Sequence, residues 1–177
     1  MNIKLPAIIL CAALIMAAPG CLGDAAGGST PVPAPDEEDR GPARRVAEEA
    51  EPEAAAAEIY SSFEEFSARK LDDDQIREVA GVEPAYFTEA YFYRSDPRYG
   101  LADIAIIKPY ASLRENLRAA LYFYRDRRVA EFVNYNILGA HGIAQDAIIY
   151  DQGEYVIMLM TSDNDNARAV IDSYIPQ

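Results

Sequence analysis

The segment Ala102–Lys108, ADIAIIK, is apolar at almost every position. A strand with one face in water alternates apolar and polar residues, whereas one that does not alternate is covered on both faces. This stretch therefore belongs at the centre of a sheet with helices on either side, and Pro109 ends it. Tyr155–Met160, YVIMLM, has the same character. It follows Ala147–Tyr150 after the short link DQGE, a hairpin pattern in which Gly153 supplies a positive φ. Glu89–Ser95, EAYFYRS, alternates instead, with Tyr91 and Tyr93 on one face and Phe92 on the other, and DPRYG turns the chain after it. Placing the two unbroken apolar strands inside gives a four-stranded antiparallel sheet of order 1-2-4-3.

Helical signals fill the gaps. Ile59, Phe63 and Phe66 lie on one helical stripe within Ala54–Arg69. In LDDDQIREVAG, Asp72 caps a short helix with Gln75 in the capping-box position, and Gly81 stops it. Ser112 and Glu115 form an S-x-x-E capping box at the start of a long helix running to about Asn136. Its apolar stripe is Leu113, Leu117, Leu121, Tyr124 and Phe132, and Gly139 and Gly142 break it. Asp163 caps a last helix that turns Ala167, Val170, Ile171 and Tyr174 inward. The order α-α-β-β-α-β-β-α describes an α+β domain, with the long helix as crossover.

The other ordering feature is the N-terminus, MNIKLPAIILCAALIMAAPGC. Lys4 precedes an apolar run from Leu5 to Ala18, shorter than the roughly 20 residues that span a bilayer. Residues 1–20 thus read as a signal peptide. APGC resembles a bacterial lipobox, which makes Cys21 the lipid attachment point and places the protein on the extracytoplasmic side of the cell membrane. Ala18 and Pro19 depart from the usual pattern, so cleavage near Pro19–Gly20 with secretion is the alternative. Cys11 follows the bulky Leu10 inside the apolar run, which disfavours it. Lys4 is the leader's one charge, so the remainder carries 15 basic against 29 acidic residues, a net of −14. That balance disfavours nucleic acid and adsorption to anionic lipid. Residues 21–53 read as the lipidated cysteine and a disordered acidic, Pro-rich tether, and residues 54–177 as one domain. With Cys11 removed and Cys21 modified, no disulfide or cysteine metal site is left.

Leader, Cys21, tether, LDDDQIREVAG with the Pro84 segment, ADIAIIK, the long helix and AIIYDQGEYVIMLMTSDND occur in the order seen in the domain-of-unknown-function 4358 family, which the chain resembles from about Ala54 to Tyr174. The resemblance implies a small lipoprotein of Gram-positive, mainly Firmicutes, bacteria. It brings a location and a fold, but no activity and no catalytic residues.

No catalytic, cofactor or metal site is assigned from the residues. His141 is the single histidine, so no histidine metal cluster can be built. The chain has no G-x-S-x-G elbow, P-loop or dinucleotide fingerprint. Asp163 and Asp165 have calcium-loop spacing without its glycine and distal glutamate, which leaves helix capping. The acidic run Asp72–Asp74 is likewise accounted for by capping and the helix dipole. Two binding features stand out: Arg114, Arg118 and Arg125 on one face of the long helix, with Arg127 and Arg128 beyond, and twelve tyrosines without a tryptophan. Glu115, Asp126 and Glu131 are available as intrahelical partners of those arginines. The expectation is a non-catalytic binding or adaptor domain for an envelope protein or polymer. An envelope hydrolase using carboxylates or serine is the alternative, and a solute-binding component of an importer a third.

Overall fold

The computed structural model describes residues 47–63 and 67–177. The leader, Cys21 and the greater part of the tether lie outside these residues, as does Phe66. Five strands form one antiparallel sheet in the order β1-β2-β3-β5-β4: β1 Ala68–Leu71, β2 Phe87–Ser95, β3 Asp103–Pro109, β4 Ile148–Gln152 and β5 Tyr155–Met160. The four expected strands are present in the expected order, with β3 and β5 inside. The sheet nevertheless has five strands, because Ala68–Leu71 pairs antiparallel with Phe92–Ser95. ARKL carries two adjacent charges and looks unlike a strand, but charged residues are what an exposed sheet edge tolerates.

The same segment corrects the first helix. α1 runs only from Pro52 to Ser61, with Pro52 in its first turn. Pro52 suits the start of this helix, since its missing N–H costs nothing there. Two serines end it: the Ser61 hydroxyl donates to the Glu58 carbonyl at 2.7 Å and the Ser62 hydroxyl to Ile59 at 2.6 Å. These bonds compete with a further helical turn, so Phe63 falls outside the helix. Upstream, the Ala47 and Glu51 amides donate to the Ser173 and Tyr174 carbonyls, both at 2.9 Å.

α2, Asp73–Ala80, has the expected reciprocal cap between Asp72 and Gln75, and Gly81 ends it at φ 71°. α3, Arg114–Phe132, does not use Ser112. A 3₁₀ turn, Ala111–Leu113, precedes it. The Leu113 amide donates to Tyr110 and the Tyr110 amide to Tyr86, which ties the entry to the sheet side without a capping box. The helix stops at Phe132, short of Asn136. Gly139 breaks the chain at φ 77°, but Gly142 lies inside α4, Ala140–Gln145. Gly153 sits at φ 54° in the β4–β5 turn. α5, Asn164–Tyr174, is capped by Asp163, whose carboxylate accepts from the Asn166 amide.

The sheet divides two cores. On one face Phe92, Ala105, Ile107, Val156 and Met158 meet Leu117, Leu121 and Tyr124 of α3 together with α2 and α4. On the other, Ile104, Ile106, Ile157 and Leu159 meet Ala55, Ala56 and Ile59 of α1 and Val170 and Ile171 of α5. Both faces of β3 and β5 are therefore covered, as their unbroken apolar sequence requires.

Candidate functional site

The long-helix arginines are engaged. Arg114 Nη1 meets Asp151 Oδ1 at 3.0 Å, and its Nη2 donates to the Glu154 carbonyl at 3.1 Å. Arg118 Nη1 meets the other Asp151 oxygen at 2.7 Å. Together they fasten the start of α3 to β4. Arg125 pairs with its neighbour Asp126 at 2.7 Å and lies over the Tyr122 ring. Arg127 donates to the Val79 carbonyl. Arg114 and Arg118 thus share one carboxylate, and Arg125 stands apart from them with its own partner.

The most elaborate polar arrangement is buried. Asp103 is 0% and Arg128 1% exposed. Asp103 Oδ1 accepts from the Ser95 amide at 2.8 Å and the Ser95 hydroxyl at 2.7 Å; Oδ2 accepts from the Tyr124 hydroxyl at 2.7 Å and Arg128 Nε at 2.9 Å. Arg128 also reaches Glu131 at 2.7 Å. Burial opposes the Arg128 charge, but Asp103, Tyr124 and Glu131 outweigh it and raise its pKa. The Tyr124 phenol is pushed well up by burial and then by the Asp103 charge. This knot fixes the second half of α3 to the first residue of β3. Sequence reasoning overlooked it, although two signals were present. Asp103 is the single acid in ADIAIIK, on the same side as Ala105 and Ile107. Arg128 continues the apolar stripe Leu117, Leu121, Tyr124 toward Phe132.

The knot backs the end of the domain where the β2–β3 turn meets the α3–α4 connection; the 3₁₀ turns Pro97–Tyr99 and Ile137–Gly139 touch. Large apolar side chains are exposed there: Tyr99 is 55% and Leu138 68% exposed, with Val133 and Tyr135 also open in the connection. Leu138 has φ 48° and ψ 33°. The left-handed region costs a non-glycine residue roughly 1–3 kcal/mol. A costly backbone conformation that presents a large apolar side chain to water is a feature folding alone does not call for.

Other candidates resolve more simply. His141 is half-buried, and its backbone N–H donates to Asn136 Oδ1 at 2.9 Å. Asp163 caps α5 and Asp165 lies in its first turn. Among the described residues no three His, Cys, Asp or Glu side chains are placed to hold a metal. Carboxylates do gather in a cavity of about 460 Å³ lined by Glu48, Glu49, Glu89, Lys108, Glu154 and Tyr155, among others. Lys108 holds Glu154 at 2.8 Å and Glu89 at 3.7 Å. Tyr155 donates to Glu89, and burial followed by the Glu89 charge pushes its pKa up to about 12. Among the described residues no serine or histidine lines that cavity.

A five-stranded antiparallel sheet with helices on both faces places the protein among small α+β domains. Residues 60–161 match the family model described as Domain of unknown function (DUF4358), and the chain belongs to that family. The match spans all five strands, α2–α4 and the Asp103 knot. No curated protein and no solved structure matches the chain.

Proposed function

We propose that this protein is a cell-surface lipoprotein, held by lipid on Cys21 at the extracytoplasmic face of the membrane, whose domain is a non-catalytic adaptor for an envelope protein. Leu138 carries the reading: an exposed leucine in a left-handed conformation, beside exposed Tyr99, Val133 and Tyr135. Tyrosine and large aliphatic side chains on a rigid support are what binding surfaces use, and the Asp103 knot provides that support. The net charge of −14 beyond the leader would repel an anionic membrane, so the lipid has to supply the attachment. The hydrolase alternative draws on the Glu89–Glu154 cavity, where Lys108 already pairs with both of those carboxylates.

The test is chemical crosslinking on intact cells followed by mass spectrometry, for the native protein and for Cys21→Ala. One defined envelope protein enriched by the native form and lost with the released variant supports an anchored adaptor. A membrane-bound native chain that enriches no protein contradicts it.

A further inference from the structure

β1 and β2 are paired so that Arg69 lies directly opposite Arg94. Both are on the α3 side of the sheet, in line with Leu71 and Phe92, which enter the core there. Like charges directly opposed across a strand pair are destabilising, and this chain has acids in excess with which to relieve them. It does not do so: among the described residues neither guanidinium has an ion pair or hydrogen bond. Arg94 Nε is buried without a partner, and so is Nη2 of Arg128 in the neighbouring knot. Buried guanidinium donors are normally satisfied, and leaving one unmade costs more than an average hydrogen bond contributes. The two arginines line a cavity of about 330 Å³ together with Ser67, Ser95, Asp96 and Pro97.

The charges around that cavity leave it electropositive. Asp96 is its one carboxylate among the described residues. Arg98 grips it through Nε at 3.1 Å and Nη2 at 2.6 Å, and those bonds lower the Asp96 pKa to about 2. The Ser95 hydroxyl is committed to Asp103. Two guanidinium groups from different strands remain: that of Arg69 open to solvent, and that of Arg94 with its buried Nε–H directed at no acceptor among the described residues.

We infer that the Arg69–Arg94 cleft at the β1–β2 edge is a binding site for a phosphate-type oxyanion. Guanidinium forks match phosphate oxygens in pairs, and a tetrahedral oxyanion offers acceptors to two forks arriving from different directions. The volume lies at the lower end of small-molecule sites, about 300–1,000 Å³, and exceeds what a bare phosphate fills. The ligand is therefore a phosphate group carried on an organic body, either a free phosphomonoester or a phosphodiester unit of a polymer. The inference deepens the binding-domain reading by adding a small anionic ligand beside the apolar surface.

The test uses the full-length protein, with the arginine Nε–H signals followed by NMR during titration with glycerol phosphate and, separately, with a short phosphodiester-linked glycerol oligomer. The expected result is a saturable shift of the Arg94 Nε–H signal. Arg69→Gln and Arg94→Gln each weaken binding at least about tenfold, whereas Arg114→Gln, at the opposite sheet edge against Asp151 of β4, leaves the affinity within about twofold of native. Both cleft variants melt at or above the native temperature, because each removes a like-charge repulsion; that keeps loss of binding separate from loss of fold. Tighter binding of the monoester identifies a free ligand, and tighter binding of the oligomer identifies a polymer. No saturable shift with either probe, affinity unchanged in both cleft variants, or a simple carboxylate such as glucuronate binding more tightly than both phosphates overturns the proposal. Partner crosslinking through Leu138 would survive that failure, and a working cleft would survive the failure of the adaptor reading.

Discussion

Replacing Asp103 with alanine removes the acceptor of four hydrogen bonds at 2.7–2.9 Å in a site that is 0% exposed. Arg128, 1% exposed, keeps only Glu131 as a charged partner. Tyr124 loses its hydroxyl acceptor, and the Ser95 amide and hydroxyl lose theirs. Removing one member of a buried ion pair costs about 3–5 kcal/mol, because the other charge stays in the interior. Since three neutral donors are also orphaned, the upper part of that range applies, about 4–5 kcal/mol. Domains of this kind have about 5–15 kcal/mol in total, so the variant is marginal at best. At about 3 °C per kcal/mol for a domain of this size, its Tm falls by roughly 12–15 °C. Urea unfolding followed by circular dichroism measures the loss directly. Asp103→Ala, Arg128→Met and the double variant form a cycle in which the double loses less than the sum of the singles by at least about 1.5 kcal/mol. A loss below about 1 kcal/mol for Asp103→Ala, or strict additivity in the cycle, would refute the claim that this knot holds α3 to β3.

Further predictions follow from other parts of the fold. Asp151→Ala breaks only partly exposed pairs to Arg114 and Arg118, so it should cost no more than about 1 kcal/mol by the same unfolding assay. Gly153→Ala would place a Cβ 2.5 Å from the Pro176 carbonyl oxygen at a φ of +54°, and should cost about 1–3 kcal/mol, read as a lowered urea midpoint. Leu138→Gly should raise stability by up to about 1 kcal/mol while weakening partner capture, separating strain from use. The phenols of Tyr60, Tyr93, Tyr124, Tyr150 and Tyr155 are all raised, foremost by burial. Above pH about 10 the unfolded chain releases these protons while the folded chain keeps them, so stability is complete below that pH and falls as it rises further. Unfolding monitored by phenolate absorbance should show this, and a flat alkaline profile would contradict it.

The interior of the sheet was legible because hydrophobic pattern and burial are tightly linked. ADIAIIK and YVIMLM could only be inner strands, and Asp72, Gly81, Gly153 and Asp163 cap or turn the chain as their chemistry suggests. What escaped was decided by tertiary pairing. ARKL becomes a strand because β2 offers it an edge, and nothing local distinguishes it from the end of a helix. Ser112 carried a capping-box signature, yet the backbone bonds of Tyr110 and Leu113 had already set the helix entry. The helix arginines formed a face on paper, but Asp151, distant in sequence, took two of them. The cleft of Arg69 and Arg94 depends wholly on the register of that unforeseen strand. The buried pair of Asp103 and Arg128 left traces in both patterns, an acid in an apolar strand and a cation in an apolar stripe, but joining them required knowing where the helix crosses the sheet.

The central claim is that the end of the domain bearing Leu138 docks an envelope protein while Cys21 holds the chain at the membrane. A photoreactive amino acid placed at Leu138 in living cells, with Glu115 on the opposite end of α3 as the comparison position, tests it most directly. One crosslinked envelope protein is expected from position 138, none from position 115, and loss of the product when Cys21 is replaced by alanine. Equal labelling from both positions, or no protein product from position 138 in membrane-bound chain, would contradict it.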